Sequence, residues 1–410
     1  MIHFSPKTQL YSMICVAVFL DTLLYGIIVP AVPYYVAWLG TDTAELGIIF
    51  AAYSVGVLLT SIPAGILCDR IGHKKVLLLG QAGLSLATAA FILSGSVAAL
   101  TISRFLQGVA SATTWTAGLA LATELFPSAE RGKKLGLVMS AAGFGTIAGP
   151  IFGGVLFDRI GYTYPFVAVA ILAGILLVWI PSIPVETAPG AFEAHNKAPS
   201  SRSPLRDAFK NTNLLWGSVT VATGSFGFGV LDPLLPLHVS QRFDLASQGI
   251  GVLFGIMGLT HTLSQPLLGT VSDRMGRKRV MVAGLLATAA AAPLIAIAPS
   301  LLTLYAATAL FGLTAAMIFI PCLPLMAEST GGNASEISGS SGQNSYGTAF
   351  GLLNTAYSLG LAGGPLAGGL LTSRYGFSCS LLLYSVILLA AAAGVLLKVK
   401  ETLRVKSPGV

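Results

Sequence analysis

The sequence predicts an all-α membrane protein with twelve transmembrane helices in two six-helix pseudo-symmetric halves. Three observations predict it: a chain too poor in charge for water, apolar stretches long enough to cross a bilayer, and an internal repeat relating the second half to the first. Of 410 residues, 54% are hydrophobic and 10% charged, whereas a soluble globular chain carries roughly 25% charged residues to cover its surface. A water-soluble fold is excluded.

A helix needs ~20 predominantly apolar residues to cross the hydrocarbon core. Twelve stretches meet this requirement, near 10–38, 45–68, 74–95, 99–125, 132–157, 163–182, 213–239, 247–269, 278–298, 300–327, 347–371 and 377–397. Lipid offers no partner for backbone N–H and C=O groups, so runs this long and apolar must close their hydrogen bonds within each segment as helices. The alternating pattern of a membrane barrel is absent. The first stretch lacks a charged leading region and contains Asp21, Pro30 and Pro33, so it reads as a working helix rather than a cleaved signal peptide.

Charge sets the expected topology. Of the 23 Lys and Arg, Arg104 falls in a span, Arg159, Arg242 and Arg374 fall in one set of loops, and nineteen fall at the termini and in the alternate loops. The positive-inside rule then puts both termini in the cytosol. The net charge of +7 follows from membrane topology and gives no reason to expect a nucleic-acid partner. Cys15, Cys68, Cys322 and Cys379 have neither metal nor disulfide spacing and read as small hydrophobes. Asn333-Ala334-Ser335 would lie in a cytoplasmic loop, where a glycosylation acceptor is not used.

The repeat appears as three alignments. Gly26-Ile-Ile-Val-Pro30-Ala-Val-Pro33 matches Gly229-Val-Leu-Asp232-Pro233-Leu-Leu-Pro236 at an offset of 203 residues. Gly65-Ile-Leu-Cys-Asp69-Arg70-Ile-Gly72-His-Lys74-Lys75 matches Gly269-Thr-Val-Ser-Asp273-Arg274-Met-Gly276-Arg-Lys278-Arg279 at 204. Gly149-Pro150-Ile-Phe-Gly153-Gly154 matches Gly364-Pro365-Leu-Ala-Gly368-Gly369 at 215, and the added residues fit the polar segment Gly331–Ser345, which reads as a flexible loop. The expected organisation is an N-terminal half over 1–183, a cytoplasmic linker over 184–211 and a C-terminal half over 212–410. Two halves repeated in one orientation imply a substrate site at midplane and alternating access by rocking around it.

The paired Gly-x-x-x-Asp-Arg-x-Gly loops resemble the hallmark of the major facilitator superfamily, and the resemblance spans nearly the whole chain. It implies that Gly65, Asp69, Arg70, Gly72, Lys74 and Lys75, with Gly269, Asp273, Arg274, Gly276 and Lys278, act as a conformational latch that stabilises the outward-open state. The acids could do so by accepting hydrogen bonds at a helix N-terminus or pairing with arginines.

Charges inside spans cost ~2.5–3.5 kcal/mol each on an insertion scale and so need a reason to exist. Asp21 lies inside span one on the same helical face as Tyr25, an arrangement suited to a cation. Asp232 opens Asp-Pro-Leu-Leu-Pro in span seven, where Pro233 and Pro236 should break the helix and free carbonyls. The repeat sets Asp232 opposite Val29, so symmetry does not account for it. A buried carboxyl favours its protonated form and a neighbouring cation favours the ionised one. These acids could therefore alternate between a proton and a cationic substrate.

Arg104, with Gln107 and Gly108, resembles the Arg-x-x-Gln-Gly element of proton-coupled members; the alternative is an arginine that snorkels to the headgroups. Gly143, Gly145, Gly149, Pro150, Gly153 and Gly154 in span five resemble the glycine-rich element of drug:proton antiporters, which implies a seal against uncoupled proton leak. Close helix packing is the other reading of the same glycines. Tyr34, Tyr35, Trp115, His238, His261, Gln265 and Asn354 are further candidates to line a cavity, with His261 and Gln265 sharing a face of span eight.

Phe-Leu-Asp21 ahead of Pro30-Ala-Val-Pro33, together with Leu-Asp232-Pro233, is similar to the vesicular amine transporter branch and its microbial drug-exporter relatives. That resemblance implies an antiporter exchanging protons for amphipathic organic cations. Where vesicular members carry further acids in spans ten and eleven, this chain has Phe319 and Asn354, and no span-two lysine equivalent is evident. The expected function is therefore a general exporter in the plasma membrane rather than an internal vesicle. Other readings are a proton-coupled importer, or an exporter of a neutral or anionic metabolite, and, outside transport, a receptor on the same fold. No nucleophile–base set, metal cluster or Walker loop marks an enzyme. No cofactor or metal is expected, and one chain containing both halves is expected to work as a monomer.

Overall fold

The computed structural model describes residues 5–184, 211–329 and 340–401, with the backbone alone described at 128–129 and 340–350. Most of the linker and the Asn333-Ala334-Ser335 triplet lie outside the described residues. Those residues form thirteen helices and no strand: α1 Pro6–Leu39, α2 Thr43–Ile71, α3 His73–Ile92, α4 Val97–Leu125, α5 Ser128–Ile160, α6 Tyr164–Ser182, α7 Thr212–Phe243, α8 Ser247–Met275, α9 Arg277–Ile297, α10 Leu301–Phe319, α11 Cys322–Ser329, α12 Ser340–Tyr375 and α13 Phe377–Lys398. The helices α10 and α11 are one apolar crossing, Leu301–Ser329, interrupted at Pro321, whose ring removes a backbone donor. All twelve expected spans are therefore helical.

Among the described residues, nine segments are long and apolar enough to cross a membrane by composition. The other three, α4, α8 and α12, have 29, 29 and 36 residues and are more polar, as helices facing a protein interior must be if they line a pathway. The outer shell is the inverse of a soluble protein's. Leu86, Val178 and Leu397 are 72%, 77% and 80% exposed, whereas Asp21, Arg104 and Gln107 are 2%, 1% and 1% exposed. The chain is an integral multi-pass membrane protein.

Two sequence expectations need correction. The helix α7 runs unbroken through Pro233 and Pro236. Each proline costs only the bond to the carbonyl four residues earlier, at Gly229 and Asp232, and in a membrane neighbouring groups can re-satisfy it. The polar segment read as a loop to Ser345 becomes helical at Ser340, because a helix leaving the hydrocarbon can continue on its own backbone bonds.

The chain divides into two compact units. Unit 1 comprises Met1–Lys197 with Leu235–Gly255, and unit 2 comprises Ala198–Leu234 with Ile256–Val410. Within unit 1, α1 crosses α5 at contact distance: a Cβ at Gly149 would sit 2.6 Å from the Leu23 carbonyl oxygen, and one at Gly145 2.6 Å from that of Phe19. Within unit 2, α7 crosses α12 in the same way, with a Cβ at Gly229 2.7 Å from Pro365 and one at Gly368 3.1 Å from Val230. Helices without side chains between them let their backbones meet directly.

The ends of α2, α5, α8 and α12 share one turn. Gly72, Gly161, Gly276 and Gly376 have φ of +89°, +92°, +98° and +84°, a region L side chains rarely enter. Each N–H returns to the carbonyl four residues earlier, at 2.9, 3.1, 3.1 and 3.0 Å respectively.

Candidate functional site

The helix α1 delivers Asp21 into the interior of unit 1, against α4. Its Oδ2 accepts two hydrogen bonds, from the Ser111 hydroxyl at 2.7 Å and from the Trp115 indole N–H at 2.8 Å. Its Oδ1 is buried and, among the described residues, has no hydrogen-bond partner. Ser111 in turn accepts from the Tyr53 hydroxyl at 2.8 Å. A carboxyl held by one oxygen, with the other buried and open, can be satisfied by a proton on itself or by an incoming donor.

Arg104 stands beside this chain of bonds and does not snorkel. It is fully buried, its Nη1 donates to Gln107 Oε1 at 2.9 Å, and its guanidinium lies over the rings of Tyr53, Tyr25 and Phe50 at 4.6, 5.5 and 5.7 Å. Planar, weakly hydrated guanidinium stacks on aromatic faces where an ammonium would cling to water. Tyr25 and Tyr53 are themselves 5.0 Å apart, so Tyr25, expected on the face of Asp21, packs against the arginine and Tyr53. Gln107 Nε2 reaches Thr88 at 3.4 Å.

Ser111, Tyr53 and Phe50 were not legible as site residues, although a signal for the first existed. Arg104, Gln107, Ser111 and Trp115 fall at spacings of three, four and four, one polar stripe down α4. Tyr53 owes its position to Gly108, where any Cβ would run into the Tyr53 carbonyl.

In unit 2, Asp232 is 6% exposed and the Tyr357 hydroxyl stands within electrostatic range of it. His261 Nδ1 meets the Gly312 carbonyl at 3.3 Å, so it ties α8 to α10. Phe319 lies between His261, edge-on at 6.0 Å, and Tyr357, tilted at 5.9 Å. Gln265 is half-buried beside it, and Asn354 is exposed.

The two basic loops are tied down by side-chain pairs that repeat each other. His73 Nδ1 meets Glu124 Oε2 at 2.9 Å in unit 1, and Arg277 Nη1 meets Glu328 Oε2 at 2.7 Å in unit 2. Both partners lie 204 residues apart, the offset of the loops themselves. Lys74 Nζ donates to the Ile183 carbonyl at 2.7 Å. Asp69 is exposed, and Asp273 reaches Arg277 of its own loop at 3.9 Å while 69% exposed. The span-five glycines divide by face: Gly145, Gly149 and Gly153 seat α1, while a Cβ on Gly154 would strike the Ser247 backbone.

Comparison with known proteins agrees with this architecture. A bacterial homologue of the human lysosomal transporter Spinster, solved inward-facing and unoccupied, superimposes with a TM-score of 0.80 at 15% identity over 97% of both chains. By sequence, the chain is 25% identical over 357 residues to the synaptic vesicular amine transporter of Rattus norvegicus, covering 86% of this chain and 66% of that protein. It is 28% identical over 377 residues to the MFS-type transporter SLC18B1 of Mus musculus, covering 87% and 78%. The chain thus spans slightly under two thirds of the length of its vesicular amine relatives. The family model described as Major Facilitator Superfamily matches residues 14–241 and again 218–410. Since each half of the repeat meets the same model, the chain belongs to the Major Facilitator Superfamily.

Proposed function

We propose that this protein is a secondary active transporter that exchanges protons for amphipathic organic cations by alternating access, with Asp21 as the group that holds either one. The observation that carries the reading is the half-satisfied carboxyl: Oδ2 fixed by Ser111 and Trp115, Oδ1 buried and open. A proton on Oδ1 neutralises the group in place, and an organic ammonium donating to the same oxygen displaces that proton. Arg104 keeps the surrounding potential positive enough that a cation does not bind irreversibly. Asp232 beside Tyr357 is the second acidic position. The amine cargo named for the vesicular relatives supports this choice of substrate class.

The basic-residue distribution supports cytoplasmic termini, and the chain would work as a monomer whose Asp69 and Asp273 loops latch the cytoplasmic side. A plasma-membrane exporter is the proposed physiological form. Energy then comes from the proton gradient.

The test is reconstitution in liposomes containing a pH-sensitive dye, with an imposed proton gradient and a panel of lipophilic amines beside neutral and anionic solutes. Amines alone should trigger proton movement in the wild type, and Asp21→Asn should abolish it. Proton movement triggered by neutral or anionic solutes would replace the proposal with a metabolite transporter. Unchanged amine exchange in Asp21→Asn would remove Asp21 from the mechanism.

A further inference from the structure

The turn that closes the two basic loops recurs at the end of α5 as Gly154-Val-Leu-Phe-Asp158-Arg159-Ile-Gly161, with the same left-handed glycine at φ +92°. Five crossings from the amino terminus, this copy lies on the membrane face opposite that terminus. Unlike Asp273, which reaches only the next helix in sequence, this acid engages one far along the chain: Asp158 Oδ2 accepts the backbone N–H of Gln248, in the first turn of α8, at 2.9 Å. Beside it the hydroxyls of Tyr162 and Ser247 are hydrogen-bonded at 3.1 Å. Tyr162 is clamped between Tyr34, stacked at 3.9 Å, and Phe157 at 5.0 Å. The backbones touch because Gly154 faces the Ser247 carbonyl and Gly251 faces that of Pro150.

The internal repeat explains why α8 receives this acid. Its counterpart α2 caps itself: Asp42 accepts the N–H of Glu45 at 2.8 Å, and Glu45 returns the bond at 3.4 Å. At the offset of 204, Asp42 becomes Ala246 and Glu45 becomes Gly249, neither of which has a side-chain acceptor. Ala246 still occupies the capping position, since its carbonyl takes the Ile250 N–H at 3.1 Å as that of Asp42 takes Leu46 at 3.1 Å. The first turn of α8 therefore has orphan N–H groups and a positive dipole end without a cap of its own. At the offset of 215, Asp158 becomes Ser373, which turns back on the Leu370 carbonyl at 3.0 Å. The acid is missing from the second copy of this turn, and the helix that cannot cap itself is capped by the first.

We propose that Asp158, positioned with Tyr162, is a latch on the face opposite the termini, supplying in trans the cap that α8 lacks, and that this bond is made and broken in each transport cycle. The inference rests on the alternating-access reading above but not on the identity of the cargo. The carboxylate is exposed and the bond is single, weak enough to open at each turnover. It is also directional, since the acceptor meets an N–H in the first turn of α8.

The test uses the full chain in liposomes, with Cys379 replaced by serine and nitroxide labels on cysteines introduced at Ile160 and Gln241. Pulsed dipolar spectroscopy without added solute should give predominantly short distances with Asp158 intact. Asp158→Ala should raise the long-to-short ratio by roughly two- to fivefold, the range expected for loss of a charge at a helix N-terminus, and Asp158→Asn should fall between. Identical distributions in all three would overturn the latch. As an independent measure, a disulfide between Tyr162→Cys and Ser247→Cys should arrest solute-driven proton movement until reduced, and full activity in the cross-linked protein would equally overturn it. A shifted distribution in a protein that ignores amines would uphold the latch and discard the amine reading, and amine exchange with an unmoved distribution would do the reverse.

Discussion

At the scale of single residues, the proposed site is a carboxyl whose two oxygens stand in different surroundings. Removing either donor to Asp21 Oδ2 should leave the group present but less able to stay ionised. Ser111→Ala and Trp115→Phe are each expected to weaken apparent affinity for a cationic solute about tenfold, in line with the loss of one hydrogen bond to a buried charge. Acid inhibition should also set in at a higher pH than in the wild type. Initial-rate curves against pH and solute concentration check both, and equal loss of maximal rate without a shift in affinity would assign these residues to packing. Asp21, Arg104 and Asp232 were legible because charge inside an apolar run is conspicuous. Tyr53 was not, since an aromatic inside a span is ordinary until Gly108 on another helix is seen to accept it.

At the scale of elements, the glycines of α5 separate into positions that touch and positions that do not. A Cβ at Gly149 meets the backbone of α1, whereas one at Gly136 meets nothing within 4 Å. Gly149→Ala should therefore lower stability by about 1–3 kcal/mol through overpacking. Gly136→Ala should be neutral or stabilising by up to ~1 kcal/mol, as alanine loses less backbone freedom in a helix. Thermal unfolding in detergent with transport assayed alongside separates the two, and a leak of protons in Gly149→Ala at unchanged stability would favour a sealing role. Helix positions were readable within a few residues because hydrocarbon forces every backbone bond to close locally: α6 was expected at 163–182 and spans Tyr164–Ser182. The continuity of α7 through two prolines was not readable, because neighbours decide whether the freed carbonyls at Gly229 and Asp232 break the helix. Likewise the third Gly-x-x-x-Asp-Arg-x-Gly was visible as letters, but its meaning depended on the missing cap of a helix far along the chain.

At the scale of the whole molecule, the proposed exchange at one carboxyl would make the two cargoes competitors, so pH should act differently on the two faces. Acidifying the face where the cation loads should suppress transport, approaching about tenfold per pH unit once the carboxyl is mostly protonated. Acidifying the receiving face should accelerate it by promoting release. Proton flux measured with each face buffered separately checks the sign, and suppression from both faces alike would point to a general effect of acid on the fold. The repeat organises this behaviour without being exact. The His73–Glu124 and Arg277–Glu328 pairs are conserved between the halves of this one chain, while Asp21, Asp232 and Asp158 each have an uncharged counterpart. Symmetry holds the scaffold, and the residues proposed to carry the chemistry fall where it is breached.

The borrowed cap on α8 also turns one ordinary hydrogen into a clock. The Gln248 amide proton is shielded from deuterium only while Asp158 accepts it, so its exchange with heavy water in the unlabelled, unmutated protein would record how often that end of the molecule opens at rest. Any solute that speeds or slows the exchange would declare itself a ligand before a transport assay had been devised for it.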